Sequence, residues 1–195
     1  ARTGEALGAR WSEIDLEAGV WTVPAERMKG HREHRVPLSG AALGVLRHML
    51  PLRPEEGDGY VFPGLKRGKP LSNMAMLKCL ERLGRGDLTA HGFRSTFRDW
   101  CEEATSTPHA VAEAALAHAI PDKVEAAYRR GDLFEKRAAL MAQWAEFCAR
   151  PPAAVVPLRA ARRAAARQEE AGAASAVTRA AGALHDPGGE EEDAR

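Results

Sequence analysis

Several absences narrow the field before any motif is considered. Cysteine is scarce: Cys79, Cys101 and Cys148 are far apart and in no C-x-x-C arrangement, which argues against a disulfide framework or a zinc site and leaves buried free thiols as the expectation. Long hydrophobic runs are missing, since charge interrupts every few residues, and no basic-then-apolar leader opens the sequence. Neither a membrane span nor a signal peptide is therefore expected, and the default compartment is cytoplasmic. No G-x-x-x-x-G-K loop and no Asp/Glu cluster suited to two-metal catalysis occurs, so no nucleotide, metal or other cofactor is expected. Charge of one sign does not dominate either, because 28 Lys and Arg face 27 Asp and Glu for a net +1. A nucleic-acid surface would have to come from local clustering.

What is present fits one compact unit plus a tail. The 195 residues, 45% of them hydrophobic, suffice for one domain with a proper core and are too few for two large ones. The expected boundaries are 1–150 for the domain and 151–195 for a tail that has no aromatic residue, is rich in Ala and Arg, and ends in Gly188-Gly189 and the acidic run Glu190 to Asp193. That composition predicts disorder, with a short helix around Arg159 to Glu170. The chain opens inside a helical pattern running through Glu5 and Leu7 to Trp11, which reads as an N-terminally truncated fragment.

Val20 to Pro24 and His34 to Leu38 are short β-prone segments that predict a hairpin with Lys29 near its tip. Helical spacing follows over Ala41 to Leu50 and over Ser72 to Leu83, with Ser72 as cap and Gly84 as stop. Further helices are expected from near Thr89 through Trp100, from Thr107-Pro108, and, short and opened by Pro121, around Tyr128. The last runs from Asp132 through Phe134, Ala138, Met141, Ala145 and Cys148, an apolar stripe that wants a partner groove.

His91-Gly92-Phe93-Arg94 puts an imidazole and a guanidinium three residues apart, on one helix face near an N-terminus that favours anions. That is the outline of a phosphate site; it is equally the pattern of a capping His beside a surface Arg. Tyr128 read alone is a ring against the core, and His118 a residue closing an Ala/Leu-rich helix by binding its last carbonyls. Arg27, Arg32 and Lys66 to Lys69 offer cations besides Lys29. His31, Arg32, His34 and Arg35 read either as DNA phosphate contacts or as a soluble edge. Trp11, Trp21, Trp100 and Trp144 are expected in the core or at domain contacts. The cluster from Arg159 to Arg167 is expected to be solvated.

Taken together, the order Arg2-Thr3-Gly4-Glu5, Lys29 on a hairpin, His91-x-x-Arg94, Leu116-Ala117-His118 and Tyr128 resembles the tyrosine recombinases. Arg10 to Asp15, Arg32 to Ser39 and His91 to Trp100 look especially like prophage integrases of the satellite-phage type, and the resemblance covers residues 1 to about 150. It implies the DNA breaking-rejoining fold, mainly α with a small antiparallel β-sheet (α+β).

The resemblance also implies the chemistry. Tyr128 would attack the scissile phosphate to give a 3′-phosphotyrosyl link and a free 5′-hydroxyl. A phenol needs a proton acceptor and nearby positive charge to do so. His91 matches the acceptor, and Arg2 and Arg94 the guanidiniums that clamp the non-bridging oxygens. His118 matches a further donor to those oxygens, Lys29 the acid that protonates the leaving 5′-oxygen, and Glu5 the acid that orients the first arginine. The implied partners are double-stranded DNA at attachment sites, a homo-tetramer on synapsed DNA, a host bending factor and an excisionase. Phe134 to Cys148 would dock on a neighbouring protomer. The alternatives are a truncated inactive remnant, a type IB topoisomerase-like enzyme and a non-catalytic DNA-binding module.

Overall fold

Val20-Trp21-Thr22-Val23 alternates in a strand-like way, and the two residues on one face, Trp21 and Val23, are buried. In the computed structural model of the chain, which describes residues 1–118 and 131–151, this segment is β2 (Val20–Val23), between β1 (Ile14–Asp15) and β3 (His34–Pro37). The sheet is antiparallel in the order β1-β2-β3, and its register sets Trp21 opposite Ile14 on one side and Val36 on the other. The connection from β2 to β3 is anchored by buried Met28, so that Lys29 beside it is held at the surface.

The helices are α1 (Thr3–Leu7), α2 (Gly40–Met49), α3 (Ala75–Arg82), α4 (Gly92–Ala104), α5 (His109–Ala115) and α6 (Phe134–Ala149). Ser39 caps α2 by accepting the Ala42 N–H, and Gly84 follows α3 in the left-handed region at φ +71°, a conformation glycine adopts without steric penalty. The first helix ends at Leu7 rather than reaching Trp11, which lies in a separate 3₁₀ turn. The third starts at Ala75, and Ser72 contributes its carbonyl to a turn before it rather than a side-chain cap.

Residues Ala1–Arg150 group as one unit with two apolar clusters. One joins the sheet to the hairpin connection and α2 through Ala9, Trp11, Trp21, Val23, Met28, Leu46 and Val61. The other joins α4, α5 and α6 through Phe97, Cys101, Val111, Ala112, Leu116 and Leu140. Trp100 and Trp144 sit beside the second, their ring centroids 5.0 Å apart. Among the described residues no helix is long and apolar enough to cross a membrane.

Arg137 on α6 is only 1% exposed. Its Nη1 donates to the Arg35 carbonyl of β3 at 2.5 Å, its Nε to the Asp132 carbonyl at 2.7 Å, and its Nη2 lies 3.0 Å from the Asp132 carboxylate. Arg35 also pairs with Asp132 at 3.0 Å and stacks on the Phe134 ring at 4.4 Å. A buried guanidinium so enclosed satisfies backbone carbonyls that would otherwise be stranded.

Two expectations change. The most buried positions of α6 are Arg137 and Leu140, with Ala138, Met141, Trp144 and Ala145 half-buried and Cys148 exposed, because the pairing of Arg137 makes a charged position a core position. Leu140, Met141 and Trp144 pack within the same chain against the Phe97 cluster, while Phe147 and Cys148 at the end of α6 stay exposed. Cys79 and Cys148 are exposed, and of the three free thiols only Cys101 is buried. The expectations for the tail beyond Pro151, including the Arg159 to Arg167 cluster, and for the Tyr128 helix concern residues outside the described ones.

Replacing Arg137 with Met keeps the volume and strips the donors, leaving two carbonyls unsatisfied; chemical denaturation should show a loss of about 2–4 kcal/mol. His34 titrates in the same region: burial first, then the Arg137 charge, lowers its pKa from 6.5 to about 4. The unfolded chain therefore takes up a proton near pH 6.5 that the fold resists until about pH 4, so stability falls as pH drops through that window. Denaturation midpoints measured across it should fall less steeply in His34→Gln than in the wild type.

Candidate active site

Glu5 in α1 is 5% exposed and accepts both the Arg2 backbone N–H at 2.5 Å and its Nη1 at 2.9 Å. Burial works against ionisation of this carboxyl, yet the hydrogen bonds and charge of Arg2 outweigh it and hold its pKa below the usual value. A fixed anion thereby aims the Arg2 guanidinium. Arg27 is engaged elsewhere: it pairs with Glu13 and donates to the Glu5 carbonyl at 2.5 Å. It passes so close to Gly8 that a Cβ there would lie 2.9 Å from its Nη2. Of the cations that compete with Lys29 in the sequence, none lines the cavity described below.

The second half of the site comes from α4 and the end of α5. Thr89 receives the Gly92 N–H on its hydroxyl, which opens α4 just after His91. One helical turn in, Arg94 points across to α5, where its Nη2 donates to the Leu116 carbonyl at 2.8 Å and approaches His118 Nε2 at 3.2 Å. Burial, followed by the charge of Arg2, lowers the pKa of Arg94. Its Nη1 is buried with no hydrogen-bond partner among the described residues.

His118 owes its place to the way α5 stops. Ala117 takes φ +52°; its N–H bonds the Ala114 carbonyl and the His118 N–H the Glu113 carbonyl. This is a Schellman closure with alanine where glycine is usual. Leu116 belongs to the helical cluster while Ala117 packs on the sheet cluster. His118 thus stands at the seam between the two, its Nδ1 2.8 Å from Glu113 Oε2.

Arg2, Lys29, His91, Arg94 and His118 line one open cavity of about 550 Å³. Five of the seven residues singled out in the sequence are therefore brought together, and Glu5 stands behind Arg2. Tyr128 lies outside the described residues. Ser95, Arg98 and Asp99 line the same cavity and escaped the sequence reading; the signal for Arg98 was its spacing one turn beyond Arg94. Of the tandem His and Arg residues, His34 is half-buried and Arg35 is paired with Asp132, while His31 and Arg32 are exposed. No group of three His, Cys, Asp or Glu residues among the described ones is placed to hold a metal ion. Three guanidiniums, an ammonium and two imidazoles around one opening suit a phosphodiester, whose oxygens accept from several donors at once.

The model of the phage integrase family matches residues 1–132. Prophage integrase IntA of Escherichia coli K12 is 41% identical over 147 residues, covering 74% of this chain and 35% of that protein. Prophage integrase IntZ of the same strain is 37% identical over 146 residues, covering 74% and 36%. The chain thus spans about a third of the length of these curated relatives. Among solved structures, an integrase from mycobacterium phage Brujita superposes with a TM-score of 0.54 at 21% identity, over 82% of this chain and 50% of that one, a likeness of fold. On the family match and these identities, the chain belongs to the phage integrase family of tyrosine recombinases.

Proposed function

We propose that residues 1–150 form the catalytic domain of a site-specific recombinase that integrates or excises a mobile element by cutting and rejoining DNA through Tyr128. The observation that carries this reading is the convergence of Arg2, Lys29, His91, Arg94 and His118 on one cavity. The relatives' designation as prophage integrases supports it.

In this reading a scissile phosphodiester enters the cavity. Its non-bridging oxygens are clamped by Arg2 and Arg94, with His118 Nε2 beside the Arg94 guanidinium at 3.2 Å; the unpartnered Arg94 Nη1 is a donor that such an oxygen satisfies. The Tyr128 oxygen bonds to phosphorus as its proton passes to His91. The bond from phosphorus to the 5′-oxygen breaks, and that oxygen takes a proton from Lys29. Nothing is oxidised or reduced, and the phosphotyrosyl ester conserves the energy of the phosphodiester, so rejoining is the same steps reversed with a different 5′-hydroxyl. Extra negative charge on the pentavalent phosphorus is what the guanidiniums bind more tightly than the ground state. The partners are double-stranded attachment sites and three further protomers on two synapsed sites, with a host bending factor and an excisionase as accessory proteins.

Nicked duplexes carrying candidate attachment sequences, incubated in EDTA, should yield a denaturation-resistant protein-DNA adduct with the wild type and none with Tyr128→Phe. An adduct that persists in the variant, or none even when upstream DNA-binding domains of a relative are fused before Ala1, would overturn Tyr128 as nucleophile. Arg94→Lys keeps the charge but loses the planar fork, and single-turnover cleavage should slow by about 10²–10³-fold.

A further inference from the structure

Glu113 has no part in the chemistry above, yet it contacts His118 twice. Its backbone carbonyl accepts the His118 N–H at 3.0 Å, and its Oε2 lies 2.8 Å from His118 Nδ1. Its other oxygen, Oε1, is buried and forms an ion pair with Arg98, 3.0 Å from Nε, without the geometry of a hydrogen bond. Arg98 in turn donates to Glu102 at 2.8 Å and meets His109 Nε2 at 2.9 Å. A continuous row therefore runs Arg98, Glu113, His118, Arg94, ending at the guanidinium whose Nη2 is 3.2 Å from His118 Nε2.

The chemistry of the row is directional. An ionised carboxylate only accepts hydrogen bonds, so the proton at this contact must sit on Nδ1. That choice leaves Nε2 bare, an acceptor for the Arg94 Nη2 3.2 Å away, and it fixes the plane of the ring. Arg98 holds the carboxylate from behind, which keeps Glu113 from swinging toward Arg94 and neutralising the donors there. The arrangement has the logic of a carboxylate behind a working imidazole, where the acid sets tautomer and orientation without entering the reaction.

We propose that Glu113, paired with Arg98, is the positioning residue of this site, fixing the His118 ring so that Nε2 accepts from Arg94 Nη2 and holds that guanidinium toward the phosphate. The proposal rests on the strand-transfer reading for what the ring does and on the row of contacts alone for how the ring is held.

Two measurements on the full 195-residue chain separate those parts. Long-range ¹⁵N correlation spectra report which ring nitrogen of His118 carries the proton. They should show Nδ1 protonated in the wild type and in Glu113→Gln, whose amide oxygen still accepts, and a shift toward the Nε2-protonated form in Glu113→Ala. On the nicked duplexes, Glu113→Ala should cleave about 10- to 100-fold more slowly at unchanged DNA affinity, and Glu113→Gln should recover most of that rate. An Nδ1 that is bare in the wild type, a tautomer indifferent to Glu113→Ala, or equal losses in both variants would overturn the positioning role. If the wild type forms no adduct even with upstream DNA-binding domains fused before Ala1, the strand-transfer reading fails by itself, and the spectra still decide the place of Glu113.

Discussion

The Arg137 guanidinium is the interaction on which the rest of the domain depends. The sheet cluster and the helical cluster are each small, and between them runs the seam that carries the cavity. Arg137 reaches from α6 across that seam to a main-chain carbonyl of β3, and Asp132, Arg35 and Phe134 close around it. A hydrophobic contact could hold the two parts together, but it would let them slide. Hydrogen bonds from a planar fork to fixed carbonyls define both distance and orientation. Lys29 on the sheet side and Arg94 and His118 on the helical side can face one opening only while that relation is kept.

Inside the cavity burial disfavours the charge of Arg94, and repulsion from Arg2 adds to it, so that its pKa is lowered. Arg2, Arg94 and His118 are each stabilised by a neighbour turned away from the opening. Glu5 takes the near side of Arg2, the Leu116 carbonyl takes one amino group of Arg94, and Glu113 takes the far nitrogen of His118. Glu5 and Glu113 are spent behind the site, and although Asp99 lines it, the cationic groups there outnumber it and remain for an anion. Net charge near zero is thus compatible with a concentrated positive opening.

Much of this was readable in the sequence where local physics decides. The hairpin strands, the Ser39-capped α2 and the stop at Gly84 follow from alternation, spacing and turn chemistry, and the order of Arg2, Lys29, His91, Arg94 and His118 marked the cavity. What escaped depends on partners distant along the chain. Arg137 looks solvated until Asp132 and the Arg35 carbonyl are seen beside it, so the most buried position of α6 was missed. β1 is two residues long and has no periodicity to detect. Glu113 and Arg98 look like ordinary helix-surface charges, and only the fold brings one to His118 and the other behind it.

The left-handed turn at Ala117 gives a final consequence. A side chain with no chemistry of its own decides whether His118 stands in the opening or beyond it, since the backbone there must reverse within one residue while the methyl group still fits against the sheet cluster. Glycine would ease the reversal and lose the contact; a β-branched residue would resist the reversal outright. Selection on the histidine's placement would therefore be felt at a position that no inventory of reactive groups would include, and variation tolerated there would measure how tightly the histidine must be aimed.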